Sequence, residues 1–164
     1  MGVKKRVRIF ETNNPWIDGP FTNAFSNNIY IPVKWRAENP RPDLRGVIGH
    51  ELAHVKTKWK FAQDVALGIG GVVGLTSLVG WFSVPIVTKT FELSILFLML
   101  TALSWRNERR ADWEGALVTG PEGLISVFER LAAKLKRDEG SETHPPLHDR
   151  ISRLLPLLDG RVKV

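Results

Sequence analysis

His50-Glu51-Leu52-Ala53-His54 carries the clearest chemistry in this chain. On a helix, residues four apart lie one turn up on the same face, so both imidazoles can reach one ion. Glu51 projects beside them and can contact a water on that ion without ligating it. With 4 His and 10 Glu in 164 residues, chance supplies such a pattern roughly 0.006 times per chain, which sets two surface histidines on an amphipathic helix well behind a metal site. There is no cysteine. Disulfide scaffolds, thiol nucleophiles, Cys-type zinc sites and iron–sulfur clusters are excluded together, so any metal is held by His and carboxylate. A catalytic zinc site commonly takes three protein ligands and keeps a position for water. The best third candidate is Glu108, with Asp112 one turn later on the same face to accept a hydrogen bond from a ligand imidazole. Alone, a Glu108-x-x-x-Asp112 helix among arginines reads as a solvated, salt-bridged face.

The elements that must position these residues follow from local pattern. The length suits one domain with room for an appended helical element, and 43% hydrophobic residues allow a packed core. Positions 5–10 alternate charged and apolar, which predicts a strand. Residues 11–28 are rich in Asn, Pro and Gly and read as loop. Ile29, Ile31, Val33 and Trp35 alternate with Tyr30, Pro32, Lys34 and Arg36, predicting a second strand, and Pro32 predicts that it lies at a sheet edge. Asp43 reads as the N-cap of a helix reaching about Trp59. Further helices are expected near 105–119, stopping at Gly120-Pro121, near 122–138, and in the tail around Ile151, Leu154 and Leu155. The fold class is α+β.

Between the two halves of the proposed site lie 24 consecutive uncharged residues, Val65 to Thr88, five of them Gly. As helix they span about 36 Å, enough to cross a hydrocarbon core of about 30 Å. His54 precedes this insert and Glu108 follows it, so if both touch one ion the chain must return to the side it left. A second run, Leu93 to Trp105, reaches about 27 Å if extended back to about Thr88. The expectation is a transmembrane hairpin at about 61–105 within a single domain, 1–164. Trp59, Trp81 and Trp105 fall at the spacing of interfacial belts. Gly70-Gly71-Val72-Val73-Gly74 allows close helix contact, within the hairpin or between copies as a homo-oligomer. Lys56, Lys58, Lys60, Arg106, Arg109 and Arg110 near the catalytic end, against Lys89 at the turn, place the catalytic part and both termini in the cytoplasm by the positive-inside rule. The competing reading is a buried helical pair in a soluble protein.

HELAH, then ERRAD, then THPPLHDRISRL together resemble the HtpX and CAAX-prenyl-protease family of membrane zinc peptidases, over roughly residues 20–156. The resemblance implies a zincin-like catalytic domain, one Zn2+ held by His50, His54 and Glu108, Glu51 as general base and Asp112 in support. It further implies that His144 reaches into the cleft to stabilise the oxyanion and that Arg150 buttresses the site. Asn23-Ala24-Phe25 is similar to the family segment that precedes the substrate-binding edge strand. Trp59 departs from the family, which usually has an acidic or other polar residue there. His148 has no family counterpart and reads as a surface histidine, or else as a fourth ligand.

The function expected is zinc-dependent endopeptidase activity at the cytoplasmic face of a cell membrane. An extended peptide or protein substrate would pair with the strand near Ile29, Ile31 and Val33. Main-chain pairing implies broad tolerance and suits membrane or misfolded proteins as substrates. The alternatives are a catalytically silent, membrane-tethered zinc protein that binds peptides or partners, and a soluble metallopeptidase. One hairpin cannot enclose a chamber, which sets a prenylated-substrate peptidase lower. The formal charge is +6, but no aromatic–basic interleaving or nucleic-acid motif accompanies it, so nucleic acid is not an expected partner. Met1 to Glu11 has no apolar run of a signal peptide, and Arg6 breaks the myristoylation pattern.

Overall fold

The computed structural model describes residues 6–17, 19–23, 26–80, 85–135, 141 and 143–160. Among these residues three strands, β1 (Arg8–Thr12), β2 (Phe21–Thr22) and β3 (Asn28–Pro32), precede five helices. These are α1 (Val33–Glu38), α2 (Arg41–Gly80), α3 (Pro85–Thr119), α4 (Glu122–Leu135) and α5 (Leu147–Leu158). The architecture is α+β, mostly helical with one small sheet.

The sheet order is β1-β3-β2. β3 pairs parallel with β1, Ile9 opposite Ile29 and Phe10 opposite Tyr30, and antiparallel with β2, Phe21 opposite Tyr30. The segment joining β1 to β3 is long enough for a parallel connection, which needs about a dozen residues or more. The expected edge position of the Ile29–Val33 strand is therefore corrected: β3 is central. Tyr30 accounts for this, because its ring stacks on Phe10 at 5.5 Å and on Phe21 at 5.1 Å, a cross-strand aromatic ladder that holds a neighbour on each side. Pro32 is tolerated because it closes the strand and caps α1. Val33 and Trp35, expected to continue the strand, begin α1 instead.

Ile29 and Ile31, on the other face of β3, are buried with Val55 of α2. A second core unites Val47 of α2, Ala116 of α3, Leu124, Ile125 and Phe128 of α4, and Leu147 and Leu154 of α5. Trp35 packs against both. Leu124 and Leu154 are fully buried, each contributing about 1.5–3 kcal/mol by transfer from water. Asp43 lies in the first turn of α2 rather than at its cap. There it is buried and pairs with Arg130 of α4.

The metal-binding pattern and the apolar insert form one continuous helix, α2, about 60 Å long; likewise the apolar second run and the Glu108 segment are both α3. The two run antiparallel: Gly49 meets Thr119 and Gly115, Lys56 pairs with Glu114, and Gly68 meets Met99. Among the described residues nothing lies within 4 Å of a Cβ placed on Gly70, Gly71 or Gly74, whereas one on Gly68 would meet Met99. Trp81 of the expected belts, and Ala24 and Phe25 of the expected substrate segment, lie outside the described residues. Among the described residues one helix, over Arg41–Leu78, is long and apolar enough to cross a membrane. Its most apolar 18 residues have a mean hydropathy of 1.4 and are 6% buried.

Candidate metal centre

His50 and His54 project from the middle of α2 toward Glu108 on α3, as helical spacing requires. His54 Nε2 lies 3.0 Å from His50 Nε2 and 3.0 Å from Glu108 Oε1, and His50 Nε2 is 3.6 Å from Glu108 Oε2. Ligands at about 2.0–2.1 Å from a tetrahedral ion stand about 3.3 Å apart, so these separations bracket a shared cation. Among the described residues, His50, His54 and Glu108 form the group that could hold one.

Close approach of the two helices depends on glycine. A Cβ on Gly115 would meet the backbone nitrogen of His50 at 2.6 Å. Only hydrogen fits between α2 and α3 at the turn that presents the first imidazole. Gly120, at φ +88°, ends α3 in the left-handed region that glycine adopts without strain.

The surrounding charges orient the three groups. Asp112 Oδ1 lies 2.8 Å from His50 Nδ1, which leaves Nε2 facing the other ligands. Arg150 of α5 grips Asp112 with two bonds of 2.7 Å, lies over the Phe128 ring, and is 3.4 Å from Glu108 Oε2. Burial pushes the carboxyls of Glu108 and Asp112 up. It is outweighed at Glu108 by His54, His50 and Arg150, and at Asp112 by Arg150 and His50, so both end below their ordinary values. Burial pulls His50 down, yet Asp112 and Glu108 leave it raised. Within this group of charges Glu108 Oε2 is buried with no hydrogen-bond partner. A buried carboxylate oxygen without a hydrogen bond is costly, and a cation between the imidazoles would satisfy it; the donor set fits zinc.

Glu51 is buried beside the ligands. Thr22 of β2 donates its hydroxyl within 2.6 Å of Glu51 Oε2 and 3.0 Å of the Glu51 carbonyl oxygen, so the sheet edge touches the expected base. His144 Nε2 stands 3.6 Å from Glu108 Oε2 and its Nδ1 is 2.8 Å from Thr143 Oγ1. Burial pushes its pKa down, and Arg150, His50 and His54 add to this against Glu108. The His144 loop is fastened to α3, where Trp105 Nε1 donates to Ser141 O at 2.7 Å and Ser104 Oγ to Thr143 O at 2.8 Å. His148 is exposed on α5 and outside the metal-facing group. Ile29 and Ile31 are core residues, whereas Asn23 follows β2 directly and its N–H donates to Asn28 O at 3.1 Å.

Sequence reasoning missed Thr22, Asn107 and the glycine at 115. The Asn107 carboxamide meets His54 Nδ1 at 3.1 Å, the place a supporting group takes behind a ligand imidazole. Its position one residue before Glu108 was the available signal; Thr22 had none.

A family model described as Peptidase family M48 matches residues 23–157. The chain is 29% identical to a Protease HtpX homolog of Desulforapulum autotrophicum, covering 68% of this chain and 50% of that protein. It is 26% identical to Protease HtpX of Alkalilimnicola ehrlichii, covering 84% and 61%. With a Protease HtpX homolog of Streptococcus uberis the identity is 27%, covering 70% and 54%. The chain thus spans about half to three-fifths of the length of these curated relatives. No solved structure matches it.

Proposed function

This chain belongs to peptidase family M48, with HtpX proteases among its relatives, and from that premise we propose that it is a membrane-anchored zinc endopeptidase. The observation that carries the reading is the convergence of His50, His54 and Glu108 from two antiparallel helices, with Glu51 beside them. A zinc ion held by those three residues would polarise the scissile carbonyl and acidify a coordinated water. Glu51 takes the water proton and delivers it to the leaving amine. His144 donates to the developing oxyanion. Asp112 and Arg150 hold His50 in its ligating orientation. With β3 central, the substrate strand is reassigned to the short edge strand β2 and Asn23. An extended peptide paired there by its main chain passes close to Glu51, and main-chain pairing admits misfolded and membrane proteins of varied sequence.

The antiparallel apolar arms support a hairpin that crosses the bilayer twice. Leu67, Leu75, Leu78, Phe91, Leu93 and Leu98 are at least 60% exposed in the isolated chain, a surface suited to lipid. The six cations near the metal-site end favour a cytoplasmic position for that end by the positive-inside rule. Gly70, Gly71 and Gly74 remain available for contact between copies.

The test is cleavage of a quenched peptide by the detergent-solubilised chain. Wild type cuts, a chelator stops it, and Glu51→Gln keeps zinc without cutting. Zinc-loaded wild type that cuts no peptide across detergents and pH returns the chain to the silent, peptide-binding alternative.

A further inference from the structure

Just beyond the metal centre, where α2 and α3 leave the two cores, their facing sides open into a cleft lined by Lys60, Phe61, Asp64, Arg106, Asn107 and Arg110 among others. Three cations and one carboxylate line it, and Glu114 adjoins them through Arg110. Lys60 Nζ reaches Asp64 only at 3.8 Å. Arg110 commits its Nε to Glu114 at 2.7 Å. Arg106 is exposed, and among the described residues no hydrogen bond or ion pair engages it. The neighbouring lysines are otherwise occupied, Lys56 by Glu114 and Lys58 by the Ser26 carbonyl. Of the three cleft cations only Arg106 is left uncommitted, and its guanidinium fork, with Lys60 and the remaining nitrogens of Arg110 lining the same cleft, suits a tetrahedral oxyanion.

The position of the cleft identifies its source. Exposed Leu67 and Ile69 follow within about one and a half turns of Asp64, Leu100 precedes Arg106 by less than two turns, and Trp59 is 66% exposed beside Lys60. That is the order of a headgroup layer, with aromatic and basic groups just outside an apolar arm. We propose that this cleft binds the phosphate of an acidic phospholipid, with Lys60, Arg106 and Arg110 as its donors. The assignment rests on the membrane reading above and adds a specific lipid contact at the foot of the hairpin.

The full chain in neutral detergent is titrated with short-chain phosphatidylglycerol, short-chain phosphatidylcholine and inorganic phosphate, following tryptophan fluorescence. Flotation with phosphatidylcholine vesicles is measured separately. The expected result is saturable binding of phosphatidylglycerol, weaker phosphatidylcholine binding and competition by inorganic phosphate. Arg106→Gln weakens phosphatidylglycerol binding about fivefold and added Lys60→Gln about twenty-five-fold, while the remote Lys34→Gln retains it and Arg106→Lys, which keeps the charge but loses the fork, falls between wild type and Arg106→Gln. Equal binding of the two lipids, or undiminished binding by the double variant, overturns the site although flotation succeeds. Phosphate binding with no response to phosphatidylglycerol overturns the lipid source. Failure to float overturns the membrane reading from which the proposal starts.

Discussion

Asp112 serves two partners at once: Arg150 binds both of its oxygens, and one of them also faces His50 Nδ1. Asp112→Asn therefore keeps the three ligands yet loosens one imidazole, and zinc affinity is expected to fall about 10–100-fold in a chelator competition. Unchanged affinity would remove Asp112 from the account of the site. Thr22→Val tests the bond to Glu51: kcat for peptide cleavage should fall while KM holds, because the hydroxyl orients the base and not the substrate. A change in KM alone would assign Thr22 to binding. His50 with His54 and Glu108 with Asp112 were legible in the sequence because each pair sits four apart on a helix, and Glu51 because it falls inside the first pair. Thr22 was not, since its contact spans 29 residues and has no local period.

Between elements, the α2–α3 contact sets the distance from two imidazoles to one carboxylate. Gly115→Ala forces a methyl against the His50 backbone. Unfolding in denaturant should show a loss of about 1–3 kcal/mol, and zinc affinity should fall with it. Retention of both would mean that the helices approach less closely than stated. Charge pairs tie further elements to α3. Burial pushes Asp149 of α5 up, but Arg109 and Arg153 hold its carboxyl below the ordinary 3.8. At Glu114 burial is likewise outweighed, by Lys56 and Arg110, below 4.5. A lowered folded pKa stabilises above the unfolded value and is lost as pH falls through the folded one. Wild type should therefore lose stability on acidification below those ordinary values, and Asp149→Asn should lose less over the same window. Equal acid sensitivity would show that Asp149 adds nothing. Helical periodicity made the start of α4 and the existence of α5 readable. The strand order was not, because the Phe10–Tyr30–Phe21 ladder joins residues that no short window contains.

At the scale of the whole molecule, two cores hold the metal-site end while the arms of α2 and α3 expose leucine and phenylalanine. The full chain is expected to float with phosphatidylcholine vesicles, and Leu75→Lys with Leu98→Lys to reduce that association sharply, since a lysine at mid-bilayer costs about 2.5–3.5 kcal/mol on insertion scales. A chain that remains in the supernatant in both forms would be a soluble peptidase. The need for a return was legible in the sequence, because ligands on both sides of an apolar insert cannot meet otherwise. That α2 and α3 each run unbroken from the metal centre into an arm was not, because the change from charged to apolar composition reads as a boundary.

The most direct test is zinc titration of the metal-free full chain beside its Glu108→Leu variant, with direct measurement of bound metal. One ion per wild-type chain is expected, and a large loss of affinity in the variant that still folds. Equal affinity in the two would contradict the convergence of both helices on one cation.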